Sequence, residues 1–540
     1  MTHKDVLSYS EMVRAAAAER PDFTAIQIGD ERRTYAELCN GASDRARELA
    51  ALGLKSGDRL GLLLPNSIEF VETMIAAAML GVVTVPINTR FKSFETSHVV
   101  RDSQMTAIIT TDAVAEHADF PALLLAALPG LDKETDPLNL QIEGFPFLRA
   151  VLLLGAARKP FTDRSALRER AQAARFPETG PSAEAPFLLM YTSGTTANPK
   201  ACIISSRAFV GTAMALAGRY KITRDDVWWC PLPMFHCGGI LFMTTMFSVA
   251  GFYVGMSHFQ VDATFDTIEA VKPTIFYPLF PPITLAIMDH PRFARTSFDS
   301  VRYVFSVAPE DVQLKVQSAF PQATLCSAFG MTEACGAVTF SLPDDSFEDR
   351  TRTCGTALPG WDFRVVDSET RRPVSTEERG EIEIRGVGLF DGYFNDPEMT
   401  AKSFTEDGFF RTGDIGSLDM NGRLRFHGRF KDQLKVGGEN VSALEVESFL
   451  CSHPAVKVAQ VIGTPDERMG EVPVAFIELM SGHKLTAKEL LAYCEGKIAR
   501  YKIPRHVRFV TEWPMSATKV MKHKLRERFL EEQAFGTGVP

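Results

Sequence analysis

One short stretch of the chain concentrates the groups that bind phosphate. It reads Tyr191-Thr192-Ser193-Gly194-Thr195-Thr196-Ala197-Asn198-Pro199-Lys200 and opens from the apolar run Phe187–Tyr191. Hydroxyls and backbone N–H groups donate hydrogen bonds to phosphate oxygens, and a lysine ammonium balances their charge. The pattern predicts a polyphosphate cradle at the end of a buried strand, while its composition alone leaves a polar surface turn as the alternative.

A second candidate pair lies on a predicted β-hairpin. Asn421-Gly422 is a strong signal for a two-residue turn. Asp414 lies seven residues before that turn and Arg429 seven residues after it, so an unbulged hairpin would place them directly opposite each other. An Asp and an Arg there could hold the two hydroxyls of a ribose, and a plain cross-strand ion pair is the alternative.

Composition and missing motifs exclude several classes of protein. The 540 residues carry a formal net charge of −9, which opposes a nucleic-acid-binding surface. The sequence lacks a GxxxxGK[ST] phosphate loop, an HExxH zinc site and a GxSxG nucleophile elbow. Its nine cysteines form no CxxC pair, which favours a reduced, cytoplasmic location.

The first half of the chain alternates strand and helix patterns. Arg59–Leu64 reads as a buried strand, and Asn66 with Glu69 is typical of a helix cap for a helix that ends at Leu80. The β-branched run Val82–Val85 then resumes as a strand. This βαβ unit predicts an α/β domain built on a parallel sheet.

The last hundred residues have the pattern of a smaller unit. Ser442 and Glu445 form a capping box that opens a helix. Two strands and a helix follow, over Val456–Ile462, Val472–Leu479 and Thr486–Arg500. We therefore predict an N-terminal domain over residues 1–430 and a C-terminal α+β domain over 431–540.

One uncharged stretch, Gly238–Met256, is long enough to span a membrane. It contains four glycines and is flanked by prolines and by a turn-prone Ser-His pair. These breakers favour a buried helix followed by a buried strand, and the membrane carrier is the alternative.

Seven ordered motifs resemble those of the adenylate-forming acyl-CoA synthetases, the superfamily shared with luciferases and peptide-synthetase adenylation domains. They are Tyr191–Lys200, Pro233-Met234-Phe235-His236, Phe329-Gly330-Met331-Thr332-Glu333, Arg411-Thr412-Gly413-Asp414, Gly428-Arg429-Phe430-Lys431-Asp432, Gly437-Gly438-Glu439-Asn440 and Lys519-Val520-Met521-Lys522. The resemblance covers nearly the whole chain and implies a large N-terminal α/β domain with packed sheets and a small mobile lid.

The resemblance implies binding sites for ATP and Mg²⁺. The β,γ-phosphate cradle would comprise Thr192, Ser193, Gly194, Thr195, Thr196 and Lys200. Thr332 would hold the α-phosphate, and Glu333 would bind Mg²⁺, which prefers oxygen ligands. The adenine side would comprise Phe329, Gly330, Ala308 and Pro309, with Asp414 and Arg429 on the ribose.

It also implies the residues of the two reaction steps. Lys519 resembles the catalytic lysine of adenylation, although it also belongs to a basic tail that would ordinarily be a solvated helix face. His236 would lie between acyl pocket and thiol tunnel, with a core histidine as the alternative. Lys435 would serve thioester formation, and Gly437-Gly438 would admit the pantetheine of coenzyme A.

Three positions depart from the family pattern. Ala197 and Ala201 replace glycines of the phosphate loop, and Thr518 stands where a glycine usually precedes the catalytic lysine. These departures affect the expected rate more than the expected function, and they keep a nucleotide-binding pseudoenzyme as an alternative.

The expected reaction joins a carboxylic acid to coenzyme A through acyl-AMP, releasing AMP and pyrophosphate. Phe235–Gly255 and Thr274–Leu285 form the expected acyl pocket and contain no acidic or basic side chain, which favours medium- or long-chain fatty acids and then aryl or steroid-type acids. An amino-acid adenylation domain would place an Asp where His236 stands, and a luciferase-like oxidase is a further alternative. No nucleic acid or integral membrane span is expected, and a homodimer stays open.

Overall fold

The computed structural model describes residues 7–175, 180–192, 199–308, 310–430, 433–436, 439–466, 468–495, 497–515 and 519–534. Its helices are α1 (Tyr9–Glu19), α2 (Tyr35–Ala51), α3 (Ile68–Leu80), α4 (Ser93–Asp102), α5 (Phe120–Ala127), α6 (Arg164–Ala173), α7 (Ser206–Arg219), α8 (Cys237–Ser248), α9 (Val261–Val271), α10 (Pro281–Met288), α11 (Glu310–Ala319), α12 (Phe347–Arg352), α13 (Pro397–Ser403), α14 (Ala443–Cys451), α15 (Ala487–Cys494) and α16 (Lys522–Ala534).

The strands are β1 (Thr24–Ile28), β2 (Glu31–Thr34), β3 (Arg59–Leu63), β4 (Val83–Pro86), β5 (Ala107–Thr111), β6 (Ala150–Leu154), β7 (Thr162–Asp163), β8 (Pro186–Thr192), β9 (Lys200–Ser205), β10 (Val227–Cys230), β11 (Phe252–Gly255), β12 (Ile275–Leu279), β13 (Tyr303–Ser306), β14 (Thr324–Cys326), β15 (Ala328–Phe329), β16 (Thr339–Phe340), β17 (Thr356–Ala357), β18 (Trp361–Val366), β19 (Gly380–Gly386), β20 (Gly392–Tyr393), β21 (Phe410–Leu418), β22 (Leu424–Arg429), β23 (Gln433–Val436), β24 (Glu439–Ser442), β25 (Val456–Asp466), β26 (Gly470–Leu479) and β27 (His506–Phe509).

Two large, mostly parallel sheets form the bulk of the molecule. One has seven strands in the order β14-β13-β12-β10-β11-β1-β2, and the other has eight in the order β20-β9-β8-β4-β3-β5-β6-β7. The largest hydrophobic core combines residues of both sheets with helices α1, α2, α3, α7 and α8. Separate cores cover the outer faces of the sheets, so helices bury both sides of each sheet, as parallel sheets require.

The predicted βαβ unit is confirmed, but its helix cap is not the predicted residue. β3 and β4 pair in parallel, with Arg59 opposite Val83, and α3 connects them. The cap of α3 is Ser67, whose hydroxyl accepts from the Phe70 N–H, so the assignment of the cap to Asn66 is wrong. The Asn66 amide is buried and bonds elsewhere, as described below.

The hairpin of β21 and β22 places Asp414 opposite Arg429, as predicted, but with a different geometry. Leu418 pairs with Leu424, so the turn is longer than the two-residue Asn-Gly turn predicted. A register shift between Ile415 and Gly416 then restores the offset. The expectation of an unbulged hairpin with a two-residue turn is therefore wrong. The longer turn and the register shift offset each other, so Asp414 still lies opposite Arg429.

The uncharged stretch Gly238–Met256 is a buried helix followed by a buried strand, as predicted, namely most of α8 and all of β11. Gly239 lets α8 begin against the segment before it, because a Cβ there would lie 2.4 Å from the Pro233 carbonyl oxygen. Within the described ranges, no helix is both long and apolar enough to cross a bilayer.

The C-terminal unit has its own five-stranded sheet, β24-β23-β26-β25 with β27 on β26, and its own cores. α15 ends at Cys494, well before the predicted Arg500. The first half of the predicted capping box is confirmed, because the Ser442 hydroxyl accepts from the Glu445 N–H at the start of α14. The Glu445 carboxylate lies 2.5 Å from the Lys502 ammonium. The domain boundary at residue 430 stays a prediction.

Candidate active site

The predicted phosphate cradle begins where two strands of the larger sheet end. Thr192 at the end of β8 pairs with Lys200 at the start of β9, which brings the two ends of the loop together. The Lys200 ammonium lies 5.7 Å from the centre of the Tyr393 ring. The predicted residues Ser193, Gly194, Thr195 and Thr196 lie outside the described residues, as does Ala197.

Thr332 and Glu333 lie on a 3₁₀ turn, Thr332–Ala334, that follows β15. A glycine is required at position 330, because a Cβ there would lie 2.2 Å from the Gly336 carbonyl oxygen. The backbone of the turn is fixed from outside by the Phe390 N–H, which donates to the Glu333 carbonyl oxygen at 2.9 Å. Both predicted side chains are half-buried.

On the predicted adenine side, Phe329 is buried in β15, and its ring centre lies 5.8 Å from that of Phe426 on the hairpin. Ala308 is half-buried against the core beneath the seven-stranded sheet. Pro309 lies outside the described part of the chain. Phe329 and Phe426 bring the β15 turn and the ribose-side hairpin into contact.

Asp414 and Arg429 form the centre of the predicted ribose site. Arg429 Nε lies 2.8 Å from Asp414 Oδ1, and the Asp414 side chain is only 2% exposed. Burial raises the pKa of Asp414 to about 6, against the opposing charges of Arg429 and Lys519. Arg429 is the partner of Oδ1, and an ionised carboxylate has further acceptor positions that could take a donor such as a ribose hydroxyl.

The raised pKa of Asp414 predicts a pH dependence of nucleoside binding. A ribose hydroxyl donates to the ionised carboxylate, so affinity should be constant above pH 6 and fall by up to about tenfold per pH unit below it. Adenosine is the appropriate ligand because it has no phosphate that titrates in this range. Calorimetry between pH 5 and 8 should show the fall, and Asp414→Asn should bind weakly without it. A wild-type affinity that stays constant down to pH 5 would contradict this role.

His236 lies directly before α8 and acts as its N-terminal cap residue. Burial, followed by the charges of Lys519 and Arg90, lowers the pKa of His236 to about 4, so the imidazole is neutral at physiological pH. Its Nε2 is buried and has no hydrogen-bond partner in the described part of the chain. A neutral, unsatisfied imidazole can orient a polar substrate group but cannot supply a positive charge.

Lys519 lies within electrostatic reach of both His236 and Asp414, because its charge lowers the pKa of each. The predicted lysine of the C-terminal unit therefore acts electrostatically on two predicted site residues of the N-terminal unit. Lys435 lies on β23 opposite Asn440, but its side chain is outside the description. Gly437, Gly438 and Lys431 also lie outside the described residues.

Asn66, predicted to be a helix cap, instead positions the segment that precedes His236. Its amide nitrogen donates to the carbonyl oxygens of Leu232 and Met256 at 2.9 Å each, and its oxygen accepts from the Met234 N–H at 2.7 Å. These bonds join the carboxyl end of β3 to the segment that carries His236. Asn66 follows the carboxyl end of a parallel strand, where α/β proteins bind their ligands, and this position could have identified its role from the sequence.

The donor set fits a magnesium–nucleotide complex. Glu333 supplies a half-buried carboxylate, and its charge also acts on Asp414. Carboxylate and phosphate oxygens are the ligands that Mg²⁺ prefers. The described residues contain no group of three His, Cys, Asp or Glu side chains that could hold a metal alone, so Glu333 would bind Mg²⁺ together with the substrate phosphates.

The family assignment agrees with this geometry. Residues 13–394 match the AMP-binding enzyme family and residues 445–519 match the AMP-binding enzyme C-terminal domain. The chain belongs to the AMP-binding, adenylate-forming enzymes, and its fold is theirs.

Known relatives narrow the class to acyl-CoA ligases. The chain is 31% identical to the medium-chain acyl-CoA ligase ACSF2 of Mus musculus, a mitochondrial protein, over 96% of this chain and 87% of that one. It is 32% identical to the 3-[(3aS,4S,7aS)-7a-methyl-1,5-dioxo-octahydro-1H-inden-4-yl]propanoyl:CoA ligase of Rhodococcus jostii (strain RHA1), over 98% and 99% of the two chains. The anthranilate CoA ligase AuaEII, solved with anthranoyl-AMP, superposes with a TM-score of 0.87 at 25% identity, covering 99% of this chain and all of that one.

Proposed function

We propose that this acyl-CoA ligase activates an apolar carboxylic acid, with medium- or long-chain fatty acids first, and that Mg²⁺ accompanies its ATP. The observation that carries the substrate class is the uncharged, buried segment that follows His236. α8 and β11 contain no acidic or basic side chain, and neither does β12. A charged substituent buried there would have no partner and would cost several kcal/mol.

In the first step, a carboxylate oxygen of the acid attacks the α-phosphorus of ATP and pyrophosphate leaves. Asp414 and Arg429 would hold the ribose, and Thr332 the α-phosphate. Lys519 would sit between carboxylate and phosphate and stabilise the charge that concentrates there. Mg²⁺ bound by Glu333 would neutralise phosphate charge when present.

In the second step, the thiol of coenzyme A loses its proton to solvent, its sulfur attacks the acyl carbonyl carbon, and AMP leaves with the bonding electrons. We place His236 beside this carbonyl as a neutral orienting group, because its pKa of about 4 keeps it uncharged. We propose that the C-terminal unit reorients about Lys431 between the steps, which brings Lys435 and Gly437-Gly438 to the thiol.

The aromatic residues expected around the acyl group divide between two cores. Phe276 and Tyr277 point to opposite faces of β12, as neighbours on a strand must. Within the expected pocket segment Thr274–Leu285, Phe276 packs against Trp229 beneath the sheet and therefore lies in a different core from Tyr277. Tyr277 packs against Phe242 of α8, in the core that also contacts Phe280. Tyr277 and Phe280 therefore remain the candidates for the pocket wall.

A panel of acids tests the substrate class. We expect CoA-dependent AMP formation to increase from acetate to octanoate, because each buried CH₂ contributes about 0.8 kcal/mol until the pocket is full. Palmitate, a cinnamate and a steroid acid test chain length against ring systems, the second candidate class that the fused-ring relative supports. Leucine should be rejected, since its ammonium would lie among uncharged residues.

A preference for acetate or leucine would contradict the apolar pocket while leaving the ligase activity intact. Absence of pyrophosphate release with every acid would instead favour the pseudoenzyme alternative. Cytoplasmic location and a homodimer stay predictions.

A further inference from the structure

Glu333 is held from a second side by a residue outside every motif discussed above. The Tyr393 hydroxyl lies 3.0 Å from Glu333 Oε1 and donates to it, across 60 residues of sequence. Together with the Phe390 N–H on the Glu333 carbonyl oxygen, this fixes both the main chain and the side chain of Glu333. One carboxylate oxygen is thus occupied by the tyrosine.

The tyrosine is itself firmly positioned. It lies on β20, where it pairs with Cys202 of β9, and its N–H donates to Thr400 Oγ1 at 2.9 Å. Its ring packs edge-on against that of Phe390 at 4.9 Å. Burial and then the charge of Glu333 raise the pKa of Tyr393, so the hydroxyl keeps its proton and acts as a donor.

The same ring faces the other end of the phosphate site. The Lys200 ammonium lies 5.7 Å from the ring centre, within the range of a cation–π contact. Tyr393 therefore contacts both the carboxylate proposed to bind Mg²⁺ and the lysine proposed to bind the β,γ-phosphates. No other residue of the described chain is shown by a hydrogen bond or ring contact to touch both side chains.

We infer that Tyr393 is a positioning residue for the triphosphate end of Mg·ATP. Its hydroxyl holds the Glu333 carboxylate in one rotamer, and its ring orients the Lys200 ammonium. The inference rests on the proposed roles of Glu333 and Lys200. It requires loss of the tyrosine hydroxyl to weaken the binding of ligands that carry β,γ-phosphates and a metal. The affinity for AMP, which carries neither, should not change.

The test measures binding, without turnover, of Mg·α,β-methylene-ATP and of AMP to the full chain by calorimetry. Tyr393→Phe should weaken the Mg-analogue complex by about ten- to thirtyfold, as expected for loss of a hydrogen bond to a charged group, and leave AMP affinity within twofold. Retained AMP binding also shows that the variant is folded. Tyr220→Phe is the matched control, since its buried hydroxyl donates to the Ser341 carbonyl oxygen at 2.9 Å, away from the site.

A double-mutant cycle identifies the partner through which the tyrosine acts. Because the hydroxyl acts through Glu333, Tyr393→Phe should add less than about twofold to the loss in Glu333→Gln. Fully additive losses, or equal losses for AMP and the Mg-analogue, would overturn the inference. If the affinity of the wild type for the analogue is the same with and without Mg²⁺, the metal role of Glu333 is overturned as well. This measurement therefore distinguishes failure of the Tyr393 inference from failure of the proposed metal site.

Discussion

Lys519→Ala is expected to slow acyl-AMP formation by on the order of 10²–10³-fold, comparable to losing one charge-stabilising donor. The physical reason is that the ammonium lies within electrostatic reach of both His236 and Asp414, which border the proposed acyl and ribose positions. Thioester formation from supplied acyl-AMP should be retained, because we assign that step to Lys435. Separate assays of pyrophosphate release and of acyl-CoA formation from synthetic acyl-AMP measure the two effects.

Lys524→Ala provides a matched control for this substitution. Both lysines are exposed, and the control removes the same charged group from the same basic tail at a position on α16. It should leave both half-reactions unchanged. Equal damage to both half-reactions in Lys519→Ala, or a loss of similar size in Lys524→Ala, would indicate a structural or general electrostatic role and contradict the catalytic one.

Glu333→Gln is expected to have the second-largest effect, lowering the adenylation rate and raising the Mg²⁺ concentration needed for half-maximal rate by at least about tenfold. The amide keeps the shape of the side chain but offers one neutral oxygen in place of a carboxylate, which Mg²⁺ binds poorly. The turn should stay in place because its carbonyl oxygen still accepts from the Phe390 N–H. A Mg²⁺ titration of pyrophosphate release and the thermal melting point measure both expectations.

Glu398→Gln is the corresponding control, because Glu398 is exposed and its carboxylate pairs with Lys402 of the same helix, α13. Its metal requirement should equal that of the wild type. An unchanged metal requirement in Glu333→Gln would show that Glu333 is not a ligand of Mg²⁺. The substrate phosphates alone would then hold the ion.

Local patterns predicted the elements well where one strand or helix determines them. The uncharged Gly238–Met256 was separated correctly into helix and strand because its glycines interrupt a membrane-length run. The pairing of Asp414 with Arg429 was also predicted, but through a turn and a register that the structure does not have. Counting residues outward from an assumed two-residue turn cannot predict a longer turn or a compensating bulge.

Contacts between distant elements were beyond local patterns. Asn66 precedes a helix and resembles a cap, yet its three bonds reach segments more than 160 residues away. Tyr393 is likewise defined by a partner 60 residues earlier. Proximity in sequence does not place Phe276 and Tyr277 in one pocket, because neighbours on a strand point to opposite faces and these two lie in different cores.

The oxygen atoms of the acid report most directly on whether acyl-AMP is formed. A substrate selected from the acid panel is labelled with ¹⁸O in both carboxylate oxygens and turned over with ATP and coenzyme A. If a carboxylate oxygen attacks the α-phosphorus, mass spectrometry will find one ¹⁸O in AMP, one in the acyl-CoA and none in pyrophosphate. Unlabelled AMP, or label in inorganic phosphate beside ADP, would contradict an acyl-AMP intermediate.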